Sequence, residues 1–359
     1  MTPGAVIARP LSLAALVGAL PARPDADALI AGFVPPARFA HKRFSAYRPD
    51  PRHPSQAAAR ERLRALAIEL RRESGAGVLG RLRRRKSGAG TYLDGGFGVG
   101  KTHLLAALWN AAPAPKAYLS FDELVYTIGL LGVHRAREAF RGMRLVCVDE
   151  WELDDPGNLK LALAFLRGAV EDGVQLAVTS NTVPDELGRG RFSQKDFARE
   201  IEELAGAFEV IRIAGADYRH RRFEARAGRD HFAGTPALLA QADADGEGVL
   251  LAGFDELMHA LRDVHPIRYR ALVAPLSRLL VTDLEALHAL PDALRWVHFI
   301  DKLYDAGAGF AASSDAALGA LFPESFLAGP FGKKFSRCLS RMEELLGEAV
   351  VAEPAPNAG

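Results

Sequence analysis

The chain has 359 residues, enough for about two domains at roughly 150 residues each. It carries 45 basic and 44 acidic residues, and the formal charge of +1 argues against an extended nucleic-acid-binding surface. The two cysteines, Cys147 and Cys338, cannot form a disulfide framework or a C-x-x-C zinc site, so we expect a reducing compartment. No run of about 18 uncharged apolar residues occurs, and we predict no transmembrane segment.

Residues 1–75 are predicted to form an N-terminal arm followed by a helix. The first 50 residues are rich in Ala, Pro and Arg with weak periodicity, which is typical of an extended arm with short helices. Ser55 fits an N-cap, and Gln56–Arg71 is helical by composition. The basic run Arg81–Lys86 then fits either a solvated loop or a contact to a nucleic-acid backbone.

Residues 76–225 alternate between strand and helix patterns. We expect strands at Thr91–Asp94, Lys116–Ser120, Arg144–Asp149, Val174–Ser180 and Phe208–Ile213. We expect helices at His103–Asn110, after a capping box formed by Ser120 and Glu123, at Asn158–Glu171 and at Gln194–Ala205. This alternation predicts a parallel α/β sheet flanked by helices. A polar, Gly-rich stretch at Asp217–Asp245 separates this core from a smaller C-terminal α/β domain at 246–350.

The strongest chemical signal is a phosphate-binding loop of the form GxxxxGK[ST] between a predicted strand and a predicted helix. Glycines let consecutive backbone N–H groups surround an anion, and the helix start directs its positive dipole end at the same place. Lys101 is expected to reach the β- and γ-phosphates of ATP, and the Thr102 hydroxyl is expected to bind Mg²⁺. The predicted nucleotide-binding residues are Gly95, Gly96, Phe97, Gly98, Val99, Gly100, Lys101, Thr102 and His103.

Two later strands of the core, Arg144–Asp149 and Val174–Ser180, end in polar side chains. Asp149 and Glu150 end a buried apolar strand, and Asn181 follows another. Because parallel strands deliver residues at their carboxyl ends to one crevice, these side chains are expected beside the phosphate loop. Asp149 is predicted to hold Mg²⁺, Glu150 to act as general base, and Asn181 to orient the attacking water; alternatively, Asn181 only begins a turn.

Phosphoryl transfer also favours an additional positive charge at the transition state. Arg191, in the short loop Gly188-Arg-Gly-Arg-Phe192, is the first candidate for such an arginine finger, and Arg199 is the second. Both are equally compatible with ordinary surface arginines. A finger supplied by a neighbouring subunit would require a homo-oligomeric ring.

Together these residues resemble the AFG-like ATPase family, also known as the ZapE-type cell-division ATPases, a branch of the AAA+ ATPases. The similar segments are FSAYRPDPRHPSQAAA (44–59), GTYLDGGFGVGKTHLL (90–105), LVCVDEWELDDP (145–156), LAVTSNTVPDEL (176–187), AGADYRHRRFE (214–224), FIDKLYDAGAGFAASS (299–314) and FSRCLSRMEELL (335–346). One departure concerns the finger: the family places an arginine where this chain has Gln194, with Lys195 beside it.

The resemblance implies a P-loop AAA+ fold, ATP and Mg²⁺ as ligands, and ATP hydrolysis that drives the remodelling or delivery of protein partners. Bacterial members of the family act with the FtsZ ring at the division site, and mitochondrial relatives are linked to the turnover of inner-membrane proteins. A cytoplasmic protein that is recruited to the division site or to the inner membrane face is therefore expected. Two other functions remain open from the residues: a DNA-associated loader ATPase and a slow nucleotide-gated scaffold.

The C-terminal part repeats a pattern of the core. When the sequence is shifted by 134 residues, Arg144–Asp149 aligns with Arg278–Asp283 and Phe165 with Phe299, while Thr235 falls where Lys101 lies. We therefore hypothesise a second α/β unit that cannot bind nucleotide, in which Asp283 is the counterpart of Asp149. The alternative is two ordinary β-α-β units with loops of similar length.

Overall fold

The computed structural model describes residues 11–20, 26–74, 90–96, 98–151, 156–181, 199, 202–203, 206–215, 232–244 and 247–351. The chain divides into two compact units. Arg23–Ala225 forms the first, here called the core unit, and Met1–Ala22 joins Arg226–Gly359 in the second, the C-terminal unit. In the described ranges, no helix is long and apolar enough to cross a membrane.

A five-stranded parallel sheet lies at the centre of the core unit. Its strands are β1 (Gly90–Gly95), β2 (Lys116–Ser120), β3 (Leu145–Asp149), β4 (Gln175–Ser180) and β5 (Phe208–Ile213). They lie in the order β2-β3-β4-β1-β5, and every neighbouring pair is parallel. All residues of β3 and β4 are buried, as expected for strands covered on both faces. The predicted parallel α/β sheet is confirmed.

Helices pack on both faces of this sheet. The described ones in the core unit are α2 (Ala26–Ala31), α3 (Pro54–Ser74), α4 (Lys101–Ala111), α5 (Phe121–Leu131), α6 (Val133–Phe140) and α7 (Pro156–Asp172). β3 contributes Val146 and Val148 to one apolar cluster and Leu145 and Cys147 to another. Because successive strand side chains point to opposite faces, the two clusters lie on opposite sides of the sheet.

The capping box predicted at the start of α5 is present. The Ser120 hydroxyl accepts a hydrogen bond from the Glu123 backbone N–H at 3.2 Å, and the Glu123 carboxylate accepts one from the Ser120 N–H at 2.8 Å. The helix predicted at Gln194–Ala205 falls mainly outside the described residues.

The first 75 residues are divided between the two units and do not form one arm. α1 (Leu13–Gly18) buries Leu13 and Leu16 in the apolar core of the C-terminal unit. Leu11 extends that contact, because its N–H donates to the Val249 carbonyl at 3.0 Å. Residues 26–74 belong to the core unit.

The helix predicted at Gln56–Arg71 extends in the structure over Pro54–Ser74. A proline suits the first turn of a helix, since its missing N–H would have no helical partner there. Ser55 is therefore not the N-cap, and its hydroxyl instead accepts from the Ala214 N–H at 2.9 Å.

The C-terminal unit contains a smaller parallel sheet with its own helices. Its strands are β6 (Val249–Gly253), β7 (Arg278–Thr282) and β8 (Gly309–Ala312), in the order β6-β7-β8. Besides α1, its described helices are α8 (Thr235–Ala244), α9 (Phe254–Asp263), α10 (Tyr269–Val273), α11 (Leu290–Ala306), α12 (Glu324–Leu327) and α13 (Gly332–Val351).

This smaller sheet repeats the register of β2, β3 and β4. The first residues of β2 and β3 pair with each other, as do those of β6 and β7. The first residues of β3 and β4 also pair, as do those of β7 and β8. α5 follows β2 and α9 follows β6 without a gap, and both helices begin Phe-Asp-Glu-Leu. The same strand-and-helix frame therefore occurs twice.

The backbone geometry gives Asp283 a different counterpart in the core unit from the one that the sequence comparison predicted. Glu150 and Asp283 both have positive φ, 56° and 59°. Each donates its backbone N–H to a hydroxyl group at 3.0 Å, Glu150 to Thr179 in β4 and Asp283 to Ser313 directly after β8. Asp283 is thus the counterpart of Glu150 and not of Asp149, because the segment between β7 and α11 is one residue longer than that between β3 and α7.

Candidate active site

The phosphate loop joins β1 to α4 in the geometry that an anion cradle requires. Gly100 caps α4 with φ of 90°, a left-handed conformation that glycine adopts without strain. A Cβ on Gly95 would lie 2.4 Å from the Ile213 carbonyl oxygen, so only glycine fits there. Gly96, Gly98 and Val99 are described with the loop, whereas Phe97 lies outside the described residues.

The side chain of Lys101, the first residue of α4, contacts this loop. Its ammonium group donates to the Gly95 and Gly96 carbonyl oxygens at 2.7 and 2.6 Å and to Asn181 Oδ1 at 2.9 Å. The residue is only 9% exposed, and a buried ammonium needs such partners. The contact brings Asn181, at the end of β4, to the phosphate loop, and it is the amide oxygen of Asn181 that faces the lysine.

Asp149 lies beside the first turn of α4. Its Oδ1 is 3.4 Å from the Thr102 hydroxyl, its Oδ2 accepts from the Tyr118 hydroxyl at 2.8 Å, and the Thr179 hydroxyl also donates to it. Burial and the charge of Glu150 raise the pKa of Asp149, against the effect of the three hydroxyl donors. A cation at this carboxylate would offset the cost of its burial.

Glu150 turns the chain sharply away from β3. Its left-handed backbone costs a residue with a Cβ about 1–2 kcal/mol. Its N–H donates to Thr179 Oγ1 at 3.0 Å, and the next N–H, of Trp151, donates to the Thr179 carbonyl at 2.7 Å. Trp151 is fully buried against Phe121, with 4.8 Å between ring centroids. The turn is thus fixed by its neighbours.

Sequence reasoning missed Tyr118 and Thr179, which hold Asp149 from the strands on either side. Both are hydroxyl-bearing residues in otherwise apolar, buried strand segments. That pattern is a usable signal, because a buried hydroxyl group needs a hydrogen-bonding partner. Which partner it reaches depends on the strand order, which the sequence does not state directly.

His103 lies in the first turn of α4, on the side of the segment that precedes α3. Its Nε2 is 3.0 Å from the Arg43 carbonyl oxygen, and its ring meets that of Tyr47 edge-on at 5.5 Å. Burial lowers the pKa of His103, against the effect of the Arg43 carbonyl. The described contacts of His103 thus connect the phosphate-loop helix to residues 43–47.

The arginine candidates are only partly described. Arg191 lies outside the described residues. Arg199 is described and exposed. The hydrogen bond from Arg167 is the main cause that lowers the pKa of Glu203, and the charge of Arg199 adds a smaller effect in the same direction. The described residues therefore give no position for Arg191 and no contact between Arg199 and the phosphate loop.

The side chains present suit a nucleotide-bound Mg²⁺ ion. Among the described residues, no group of three or more His, Cys, Asp or Glu side chains could hold a metal alone. Thr102 and Asp149 supply one hydroxyl and one carboxylate oxygen. Mg²⁺ is commonly held by one or two protein oxygens together with substrate phosphates, which matches this pair.

β4 lies between β1 and β3 in the sheet, and Lys101, Asp149 and Asn181 lie at the carboxyl ends of the strands. This strand order and this placement define a P-loop ATPase of the additional-strand AAA+ class. The sequence matches the AFG1-like ATPase family over residues 33–232 and 235–354, and the chain belongs to that family. It is accordingly an ATP-binding ATPase, as the resemblance of its motifs predicted.

The chain is similar to several named proteins and to several solved structures. It is 25% identical over 305 residues to Cell division protein ZapE of Escherichia coli, covering 72% of this chain and 78% of the relative. It is 22% identical over 341 residues to an uncharacterized protein of Schizosaccharomyces pombe, covering 74% of each. Among solved structures, DnaI gives a TM-score of 0.38 at 19% identity over 50% of this chain and 94% of its own. AMPPCP-bound DnaA from Aquifex aeolicus gives a TM-score of 0.36 at 12% identity, covering 87% of this chain and 84% of its own.

Proposed function

We propose that the chain hydrolyses ATP in a Mg²⁺-dependent reaction at the carboxyl edge of the core sheet. One observation supports this most strongly: Lys101 and Asn181, 80 residues apart in sequence, meet at 2.9 Å beside the Thr102–Asp149 pair. A lysine, an amide, a hydroxyl and a carboxylate from three strand ends are the groups that phosphoryl transfer uses.

The loop Gly95–Thr102 and His103 bind the triphosphate. The backbone N–H groups of the loop and the start of α4 present partial positive charge to phosphate oxygens. Lys101 exchanges carbonyl partners for phosphate oxygens, which are stronger acceptors for an ammonium group. Its proximity to Asn181 keeps the amide beside the terminal phosphate.

Thr102 and Asp149 would hold the metal ion, and Mg²⁺ bound there would supply positive charge to the phosphate oxygens. Tyr118 and Thr179 keep the Asp149 carboxylate in place through hydrogen bonds from both sides. The carboxylate therefore needs little reorganisation when it binds the cation.

Glu150 accepts the proton of the attacking water. The water oxygen bonds to the γ-phosphorus, the bond from that phosphorus to the bridging oxygen of ADP breaks, and the proton passes to the Glu150 carboxylate. Asn181 orients the water or the γ-phosphate through its amide. Arg191 of an adjacent subunit, or Arg199, completes the charge at the transition state within a ring.

ATP hydrolysis then drives the remodelling or delivery of protein partners in cell division. The relatives named Cell division protein ZapE support this role. The partner proposed is the FtsZ polymer, which would bring the protein to the division site.

The catalytic part is tested by steady-state phosphate release with MgATP. Lys101→Ala should lower the rate about 100-fold or more, and chelation of Mg²⁺ should do the same. Lys160→Ala, an exposed lysine on α7, is the matched control and should keep the wild-type rate. Equal rates for Lys101→Ala and Lys160→Ala would refute the proposed site.

The partner is tested by sedimentation with purified FtsZ polymers. Glu150→Gln should retain ATP and pellet with the polymers in the presence of MgATP, whereas Lys101→Ala should stay in the supernatant. If neither protein pellets under any nucleotide condition, FtsZ is not the partner.

A further inference from the structure

Tyr47 contacts the phosphate loop from outside the sheet. Its hydroxyl donates to the Val99 carbonyl at 2.8 Å, and its ring fills the space beside Gly100, where a Cβ would lie 2.6 Å from Tyr47 Cε2. The side chain is 7% exposed. Burial raises its pKa to about 12, so the phenol keeps its proton and remains a donor.

The hydrogen bond to Val99 determines where the next amide points. A trans peptide is planar, and its C=O and N–H point in opposite directions. Because the Val99 carbonyl faces Tyr47, the N–H of Gly100 faces away from Tyr47. Loop N–H groups are the groups that bind phosphate in this kind of loop, so Tyr47 acts on one of them through the peptide plane.

Tyr47 is itself held by a segment that is hydrogen-bonded to the end of β5. The buried amide of Gln56 donates to the Ala214 carbonyl at 2.9 Å and accepts from the Asp50 N–H at 2.8 Å. Gly215 then passes so close that a Cβ there would lie 2.6 Å from Gln56 Nε2. Residues 47–56 thus connect the phosphate loop to the end of β5.

We propose that Tyr47 is a positioning residue for nucleotide binding, which orients the Val99–Gly100 peptide of the phosphate loop toward the triphosphate. The proposal rests on the proposed ATPase function of this loop. It separates two roles of the tyrosine: the ring supports the left-handed Gly100, and the hydroxyl orients the amide.

The test is the Tyr47→Phe variant, which keeps the ring and removes only the hydrogen bond. The KM for MgATP should rise about fivefold, the effect of one hydrogen bond, while kcat stays within about twofold. Tyr269→Phe is the matched control, because its buried hydroxyl also donates to a backbone carbonyl, that of Leu261, at 2.7 Å. It should leave both kinetic constants unchanged.

A purely structural role for Tyr47 predicts a different result. Both variants would then lower the melting temperature with no change in KM, and the proposal would be overturned. Hydrogen–deuterium exchange provides a second measurement: amides 98–104 should exchange faster in Tyr47→Phe than in Tyr269→Phe. If wild type and Lys101→Ala are both inactive, the proposed function fails, but the exchange of these amides still decides the role of Tyr47.

A second inference follows independently from the repeated sheet. We infer that the C-terminal unit is a second copy of the strand-and-helix frame of the core unit. In this copy, other residues replace those that bind phosphate. Gly234 precedes α8 as Gly100 precedes α4, and each carbonyl accepts from the N–H four residues on, at 3.2 and 3.0 Å. Thr235 takes the place of Lys101, and its hydroxyl donates to Ser313 at 2.9 Å, within the fold.

This inference, which also rests on the proposed function, predicts one ATP per chain. Equilibrium dialysis should give a single bound ATP for the wild type and for Thr235→Ala, and a loss of binding in Lys101→Ala. A second ATP per chain that persists in Lys101→Ala would overturn it.

Discussion

At the scale of single residues, the turn after β3 depends on one hydroxyl group. Thr179 Oγ1 donates to Asp149 and accepts from the Glu150 N–H. The proposed metal ligand and the proposed general base are therefore oriented by the same atom. Two adjacent carboxylates with different roles need such an anchor, since a small rotation of the turn would displace both.

Thr179→Val should lower kcat for ATP hydrolysis about tenfold or more, because the isosteric side chain offers neither donor nor acceptor. Thr179→Ser should restore most of the rate. The measurement is steady-state phosphate release at saturating MgATP. Wild-type kcat in Thr179→Val would contradict the role of this hydroxyl.

Tyr118→Phe should weaken the binding of Mg²⁺ more than the binding of ATP. The variant removes the 2.8 Å hydrogen bond to Asp149 Oδ2 and leaves that oxygen less well fixed. We expect the Mg²⁺ concentration for half-maximal activity to rise about fivefold. Tyr92→Phe, at a buried tyrosine of β1, should leave this value unchanged.

The sequence predicted that Lys101, Thr102, Asp149 and Asn181 lie together, because each belongs to a motif with a fixed position relative to a strand end. It did not identify Tyr118, because the contact of that residue depends on β2 lying beside β3. Pairing between strands that are distant in sequence is set by packing of the whole sheet. Local patterns therefore predict the strands better than the contacts between them.

At the scale of elements, a buried ion triad joins α11 to α13 in the C-terminal unit. Asp301 accepts from Arg337 Nη2 at 2.6 Å and from Arg341, and all three side chains are buried. Burial alone would raise the pKa of Asp301, but the charges of Arg337 and Arg341 outweigh it and lower the pKa to about 2. The triad lies in the two C-terminal segments that resemble the family.

Asp301→Asn should destabilise the C-terminal unit by about 3–5 kcal/mol, because two buried guanidinium groups lose their counter-charge. The measurement is urea unfolding followed by the fluorescence of Trp296, which is buried in the same unit. Asp255→Asn, on the first turn of α9, is a surface control of the same chemistry. An unchanged unfolding midpoint in Asp301→Asn would contradict this account.

The same carboxylate predicts a direction for pH dependence. Its folded-state pKa is below the value of about 3.9 in an unfolded chain, so the ionised form stabilises the fold. The contribution, about 2–3 kcal/mol, is complete above about pH 4 and disappears as the pH falls through 2. In Asp301→Asn, the free energy of unfolding should therefore fall less steeply as the pH drops below about 4. The same fall as in the wild type would contradict the prediction.

At the scale of the whole molecule, one strand-and-helix frame is used twice with different chemistry at the strand ends. The turn at Asp283 and Ser313 repeats the geometry of Glu150 and Thr179. The sequence indicated this repeat through identities near the two strands, but it placed Asp283 one residue out of register. A single extra residue in a loop is invisible to a gapless comparison, whereas the backbone conformation shows it.

Ser313→Val should destabilise the C-terminal unit by about 1–3 kcal/mol through loss of the buried hydroxyl and leave kcat for ATP unchanged. Thr179→Val in the core unit should instead have its main effect on kcat. Parallel measurement of unfolding and phosphate release distinguishes these results. A fall in kcat for Ser313→Val would contradict the assignment of catalysis to the core unit alone.

Assembly is the second property at this scale. If Arg191 or Arg199 acts on the site of an adjacent subunit, specific activity should rise with protein concentration as rings form. Arg191→Ala, or Arg199→Ala, should remove that rise and leave ATP binding intact. Specific activity that is constant from nanomolar to micromolar protein would contradict a finger supplied in trans.

We propose that the strand-end residues of the core sheet bind and hydrolyse ATP in separable steps. The most direct test follows bound ATP and released phosphate in the same sample of Glu150→Gln, with Glu138→Gln on the surface of α6 as control. We expect Glu150→Gln to bind ATP with wild-type affinity and to release phosphate about 100-fold more slowly. Hydrolysis of the bound ATP at the wild-type rate would contradict it.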